Sequence, residues 1–268
     1  MIELLQITND PAFARRCDAL EGMRLFVDLE RTGKQERQAG RSSFISAHQL
    51  DDVARVRAAL HRARLMVRVN PLHAHTAEEV EAVLARGAEL LMLPMFTAAH
   101  QLAEFVRIVA GRSPVVPLLE TSGALESLPE WIALPGLAEV FVGLNDLHLS
   151  LGQRFMFEPL ALGLVDRVAA AARARDLRFG FGGIARLDEG QLPGRDVLAE
   201  HVRLGSRAVI LSRTFHRSDS ATSFEDEVAA LRRLEVQLAA RGCAQVLADR
   251  LRIAAMIGRI AQAMPSAA

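Results

Sequence analysis

Apolar residues along the chain fall into two alternating rhythms. Short continuous runs rich in Val, Ile, Leu and Phe recur at Ile2 to Ile7, Leu25 to Leu29, Leu65 to Val69, Leu90 to Met95, Val115 to Leu119, Val140 to Leu144, Phe179 to Ile184 and Ala208 to Leu211. Continuous rather than alternating runs are what strands covered on both faces show. The stretches between them have helical spacing and helix punctuation. Thr76-Ala-Glu-Glu79 and Ser223-Phe-Glu-Asp226 read as capping boxes, and Asp10-Pro11 as a helix start. Gly87, Gly111, Gly136, Gly205 and Gly242 follow helical stretches and read as helix ends.

Eight strand–helix units over residues 1–242 predict the α/β class and a single (β/α)8 TIM barrel, a fold that typically takes about 250 residues. Residues 243–268 add a C-terminal helical extension. Val246, Leu247, Leu251, Ile253, Ala254, Ile257 and Ile260 give it a broad apolar face, expected at a subunit interface. An open doubly wound sheet is the rival. Its dinucleotide fingerprint is missing: Gly180, Gly182 and Gly183 lie within or at the end of a strand, not in a loop opening a helix.

Composition narrows the partners. Lys plus Arg number 32 and Asp plus Glu 32, so nothing supports a nucleic-acid footprint. No apolar run approaches the ~18 residues a membrane span needs. Glu3 and Asp10 do not suit a signal peptide, and a cytoplasmic location is expected. Cys17 and Cys243 are too few for a disulfide framework. All the basic residues except Lys34 are arginine, so imine chemistry has one candidate, and it lies in a polar loop beyond strand two.

Barrel active sites lie at the C-terminal ends of the strands. Those ends read Asp28-Leu-Glu30-Arg31, Arg68-Val-Asn70, Glu120-Thr-Ser122 and Asn145-Asp146, with Arg186 after strand seven and Ser212-Arg213 after strand eight. Glu120 and Asp146 are about one βα unit apart, so they are expected on adjacent strands. Two readings stay open: a carboxylate pair for a hard divalent cation, or strand-end acids salt-bridged to arginine. Arg68 suits a carboxylate and its neighbouring carbonyl oxygen, or an ion pair with Asp28 or Glu30 that would orient it.

These strands resemble the HpcH/HpaI aldolase and citrate lyase beta-subunit family. The resemblance is carried by Phe26-Val-Asp-Leu-Glu30, Met66-Val-Arg-Val-Asn70, Leu91-Met-Leu-Pro-Met95, Val115-Val-Pro-Leu-Leu-Glu120 and Val140-Phe-Val-Gly-Leu-Asn-Asp146, in the family's order over residues 20 to 215. It implies a phosphoenolpyruvate/pyruvate-type barrel that makes or breaks a carbon–carbon bond beside a pyruvate-like enolate. It implies Mg²⁺ or Mn²⁺, or another divalent metal, on Glu120 and Asp146, with Arg68 on the 2-oxo acid. Two departures stand out. Arg31 occupies the place of the aldolase branch's acid/base histidine, and Gly143-Leu-Asn-Asp146 lacks that turn's proline.

The expected activity is therefore a class II-type lyase acting on a 4-hydroxy-2-oxo acid. The partners are a 2-oxo acid and an aldehyde or anionic acceptor, in a homo-oligomer (trimer or hexamer). The alternatives are an acyl-CoA ester lyase of the malyl-CoA, citramalyl-CoA or citrate lyase beta type, and a non-catalytic oxo-acid-binding barrel. The catalytic group is Arg68, Asp28, Glu30 and His48, the last as base, with a metal-activated water as its competitor. Ser122, Gly143 and Asn145 are substrate-binding candidates. Arg31, Lys34 and Arg37, helped by Arg186 and Arg213, form an expected anion clamp, with a solvated charge run as the other reading.

Overall fold

The computed structural model describes residues 1–31, 47–216 and 222–265. Its strands are β1 (Glu3–Ile7), β2 (Met23–Asp28), β3 (Leu65–Arg68), β4 (Leu90–Leu93), β5 (Val115–Leu119), β6 (Glu139–Val142), β7 (Arg178–Ile184) and β8 (Ala208–Leu211). They follow one another in chain order around a closed parallel barrel, with helices after the strands. Each apolar run named above overlaps a strand, though several of their ends differ. By Cα proximity the chain divides into Leu5–Val140 and a second unit of Met1–Leu4 with Phe141–Ala268.

In the Leu5–Val140 unit, β2, β4 and β5 are buried along their whole length, which is why their sequences are continuous rather than alternating. The parallel register sets Phe26 against Met66 and Asp28 against Arg68. Side chains alternate along a strand, so Arg24, Phe26 and Asp28 share one face of β2. Arg24 is wholly buried; its Nη1 and Nη2 donate to Oε1 and Oε2 of Glu139 at 3.0 and 2.9 Å.

The helices of this unit are α1 (Pro11–Asp18), α2 (Leu50–Arg57), α3 (Thr76–Ala85), α4 (Ala99–Val109), α5 (Ser122–Glu126) and α6 (Leu128–Trp131). α1 starts as its sequence indicates, with Asp10 accepting the Ala12 amide and Pro11 in the first turn. Asp18, at its other end, accepts the amides of His61, Arg62 and Ala63 and so ties α1 to the approach to β3. The capping box expected at Thr76 does not form, because His75 is the cap residue. The Thr76 hydroxyl accepts the His73 amide, and Glu79 turns back to Asn70.

The second unit carries α7 (Leu144–Ser150), α8 (Glu158–Ala161), α9 (Leu164–Arg173), α10 (Gly194–Leu204), α11 (Phe224–Ala239) and α12 (Cys243–Ala263). The pairing of β7 with β8 shifts register between Gly180 and Gly183. A Cβ on Gly180 would lie 2.7 Å from the Ala208 carbonyl oxygen, so this glycine serves close strand approach. Ser223 caps α11 as expected. Gly242 begins α12 instead of ending α11, with extended backbone at φ −74°. The C-terminal extension packs on α8 and α10 of its own unit through Ile253, Ile257 and Ala261. Arg252 pairs with Asp196 at 2.6 Å, while Leu247 and Leu251 stay exposed. Among the described residues no helix is long and apolar enough to cross a membrane.

Candidate functional site

The C-terminal ends of β2 and β3 build a guanidinium–carboxylate cluster. Arg68 and Asp28 are register partners, so their side chains meet without a loop having to bring them together. Arg68 Nε and Nη2 donate to Asp28 Oδ1 and Oδ2, both at 2.8 Å, and Nη1 lies 3.4 Å from Glu30 Oε2. The guanidinium carbon stands 5.7 Å from the centroid of the Phe26 ring, one step back along β2. Burial works against the charge on Arg68. Asp28, Glu30 and Glu120 outweigh it and hold the guanidinium above its ordinary value. The ion pair that the sequence allowed is therefore present, and it fixes the plane of the arginine fork.

Glu120 follows β5 directly. Its Oε1 accepts the amide of Met95 at 3.0 Å. Met95 sits at φ +56°, a left-handed conformation that a non-glycine residue holds only when its surroundings impose it. Thr121 Oγ1 donates to the Phe96 carbonyl at 2.7 Å and accepts the Ala124 amide, which starts α5 at Ser122. A Cβ on Gly123 would fall 2.3 Å from the Thr97 carbonyl oxygen. The segment after β4 is thus laced to the segment carrying Glu120. Asp28, Glu30 and Glu120 are 3, 2 and 2% exposed, three buried carboxylates acting on one guanidinium.

A second layer surrounds them. His48 is 6% exposed and its Nδ1 accepts the Asp28 amide at 3.1 Å. Arg31 donates from Nη2 to the His48 carbonyl at 2.7 Å and from its amide to Asn70 Oδ1 at 2.9 Å. Asn70 in turn donates from its backbone and side-chain nitrogens to Glu79, which also meets His73 Nε2 at 3.0 Å. Arg31 is exposed, and its described bonds brace the chain around His48 and Asn70. Lys34 and Arg37 lie outside the described residues.

In the second unit β6 stops at Val142, and Gly143 leads straight into α7. Asn145 and Asp146 therefore occupy the first turn of a helix, not a strand end as the sequence suggested. Helical spacing takes over as soon as the strand ends: Leu144, Leu147 and His148 are buried, Asp146 is half-buried and Asn145 exposed. His148 Nδ1 lies 3.2 Å from the Leu144 carbonyl, a contact within α7. The buried Arg186 side chain stands 3.8 Å from Glu189 and 3.9 Å from Glu227, and its amide donates to Thr214. Arg213 is exposed. Glu189 and Glu227 partly offset the Arg186 charge that an anion clamp would use.

Sequence reasoning missed the Met95 amide and Glu79. The first depends on backbone conformation alone. The second was assigned to a cap it does not make. Among the described residues no group of three or more His, Cys, Asp or Glu is arranged to hold a metal. Magnesium typically takes only one or two protein carboxylates.

No curated protein sequence matches the chain. Solved structures similar to it include an HpcH/HpaI aldolase from Desulfitobacterium hafniense DCB-2, at 18% identity and TM-score 0.59, covering 79% of this chain and 86% of that one. A citrate lyase from Burkholderia xenovorans LB400 is 17% identical with TM-score 0.63, covering 99% and 94%. The citrate lyase beta subunit of M. tuberculosis, complexed with oxaloacetate and magnesium, is 18% identical with TM-score 0.61, covering 87% and 96%. At these identities the likeness is one of fold. The family model described as HpcH/HpaI aldolase/citrate lyase matches residues 7–181, the stretch that holds Asp28, Glu30, Arg68, Glu120 and Asp146. The chain belongs to this family of aldolase- and citrate lyase-type enzymes.

Proposed function

We propose that the protein is a divalent-metal-dependent carbon–carbon lyase that cleaves or forms a 4-hydroxy-2-oxo acid through a pyruvate enolate. The observation that carries this reading is the Arg68 cluster. One guanidinium faces three buried carboxylates. Buried carboxylates gathered in this way are the kind of oxygen-donor surroundings a hard divalent cation takes. The donor set fits Mg²⁺ or Mn²⁺, which prefer carboxylate and water oxygen to nitrogen or sulfur. Glu120 is the ligand proposed from this unit. Asp146 is proposed as the second ligand, on the strength of the sequence resemblance.

When bound, the metal would polarise the 2-oxo oxygen as a Lewis acid. Arg68 binds the 2-oxo acid and offsets charge on its oxygens as the enolate develops, a donor fixed before the reaction starts. Asp28 and Glu30 keep the fork from turning. The Met95 amide holds Glu120 Oε1 and so fixes the carboxylate proposed as a ligand. Substrate would enter against Ser122, Gly143 and Asn145, and Arg31 with Lys34 and Arg37 would meet an anionic acceptor.

Protein stripped with EDTA is the test. Addition of Mg²⁺ or Mn²⁺ with pyruvate or oxalate raises its Tm, and Glu120→Gln removes the rise. Aldehyde is released from 4-hydroxy-2-oxo acids. No Tm response in the unsubstituted protein would end the metal reading. Cleavage of a malyl- or citramalyl-type thioester without aldehyde release would move the protein to the acyl-CoA lyase branch.

A further inference from the structure

Arg31 stands where the aldolase branch of the family has its acid/base histidine, and a guanidinium does not serve as a base near neutral pH. His48 is the buried histidine next to this strand end, and its bonding limits its role. A backbone N–H can only donate. The Asp28 amide is directed at Nδ1 at 3.1 Å, so Nδ1 is the bare, accepting nitrogen and a neutral ring carries its proton on Nε2. For the neutral ring to accept a proton it would have to use Nδ1, which already takes that amide.

The same residue that donates to His48 also holds Arg68. The Asp28 amide goes to the ring, and both carboxylate oxygens go to the guanidinium. Asp28 Oδ1 further accepts the Glu30 amide at 3.2 Å, so the turn that carries Glu30 is set by the same side chain. Arg31 grips His48 from the other side through its carbonyl. The imidazole is thus one end of a chain of fixed bonds running from His48 through Asp28 to Arg68.

We infer that His48 is a positioning residue: its bare Nδ1 anchors the Asp28 amide at the end of β2 and thereby sets the Arg68 fork, and it is not the base of the proton-transfer step. This deepens the function proposed above and rests on it for the role of Arg68. A side chain that offers an acceptor at the Nδ1 position replaces it; one that offers an acceptor only at the Nε2 position does not. Asparagine carries its oxygen on Cγ, as histidine carries Nδ1. Glutamine carries it one bond further out.

Two measurements test this. The first is the long-range ¹H–¹⁵N spectrum of the unsubstituted protein with ¹⁵N-labelled histidine, taken near neutral pH without substrate. A bare Nδ1 and a protonated Nε2 on His48 are expected, and a proton on Nδ1 overturns the inference. The second is Mg²⁺-dependent exchange of the pyruvate methyl protons with solvent deuterium, with a thermal melt of each variant. H48L and H48Q leave the Asp28 amide without its partner and lose exchange by about tenfold or more, with a raised KM for pyruvate, whereas H48N recovers most of it. A general base contributes about 10²-fold or more, so an equally deep loss of kcat in H48N and H48L, without change in KM, overturns the inference. If the unsubstituted protein exchanges no protons, the enolate reading falls. The tautomer, with the hydrogen-exchange protection of the Asp28 amide in H48N against H48L, then still decides the role of His48.

Discussion

β2 takes part in two arginine–carboxylate pairings, one at each end of one face. At its N-terminal end Arg24 meets Glu139 of β6, with both carboxylate oxygens bonded and both side chains buried. At its C-terminal end the roles are reversed. β2 supplies the acid Asp28, β3 supplies Arg68, and Glu30 and Glu120 add to the negative side. Arg68 keeps 14% of its side chain exposed, while Arg24 keeps none. The first pairing is shut off from solvent. The second gathers three buried carboxylates around an arginine that keeps an open edge. The chemistry of the residues is the same at both ends; access separates a structural pair from a candidate site.

Substitutions at the two ends should therefore fail in different ways. The largest effect is expected at Glu139→Leu, which strands the Arg24 guanidinium in the interior. Stability should fall by about 3–5 kcal/mol, a drop of about 10 °C in Tm, while the folded fraction keeps its proton-exchange rate. The double variant Arg24→Met, Glu139→Leu should regain most of the loss. A double variant no more stable than the single one would mean that the pairing is not what the interior depends on. At the other end, Arg68→Lys keeps the charge but loses the fork. Pyruvate exchange should fall about 10²-fold with little change in Tm, and an active Arg68→Lys protein would show that charge without geometry suffices.

A buried group with no ionic partner among the described residues gives a third point of comparison. His201 stacks on Phe181 at 3.7 Å between ring centroids, bonds Ser206 through Nδ1 and has no partner on Nε2 among the described residues. Burial pushes it down from 6.5 to about 3. Below the unfolded value the unfolded chain takes up a proton that the folded chain refuses. Stability is whole above that value and is lost as pH falls toward the folded one. Between pH 6.5 and about 5 the loss should be roughly 1–2 kcal/mol, and His201→Phe should flatten it. An unchanged slope in that variant would assign the acid sensitivity to the carboxylate clusters instead. The smallest effect is expected at Glu79→Gln, outside both clusters. Weakening its bonds to Asn70 should cost about 1 kcal/mol in a denaturant melt and leave exchange within about a few-fold.

The barrel was legible because strands buried on both faces leave a continuous apolar signature, and each such run overlaps a strand. The ends of those runs were less legible. Trimming the second and sixth runs to begin at Leu25 and Val140 set aside Arg24 and Glu139, the two charged residues that the fold buries together. Arg24 lies between Met23 and Leu25, and a charge flanked by apolar residues was the available signal. Asp146 was placed on a strand because its run continued through Leu144, a leucine that in fact opens a helix. The Arg68–Asp28 pair could be anticipated, since adjacent parallel strands bring their ends to one level. The tautomer of His48 and the left-handed Met95 could not. Both depend on where a backbone amide points, and side-chain identity does not encode that.

The buried pair at the N-terminal end of β2 also bears on how such a chain can change over generations. A substitution at Arg24 or at Glu139 alone passes through a protein with a stranded interior charge, while exchange of both arrives at an ordinary hydrocarbon filling. The two positions, 115 apart in sequence, are thus expected to vary as a couple among descendants of this chain, in one step or through a partner-tolerant intermediate such as a neutral amide. Their covariation would be a record of packing, to be separated from any covariation that reports the chemistry at the other end of the strand.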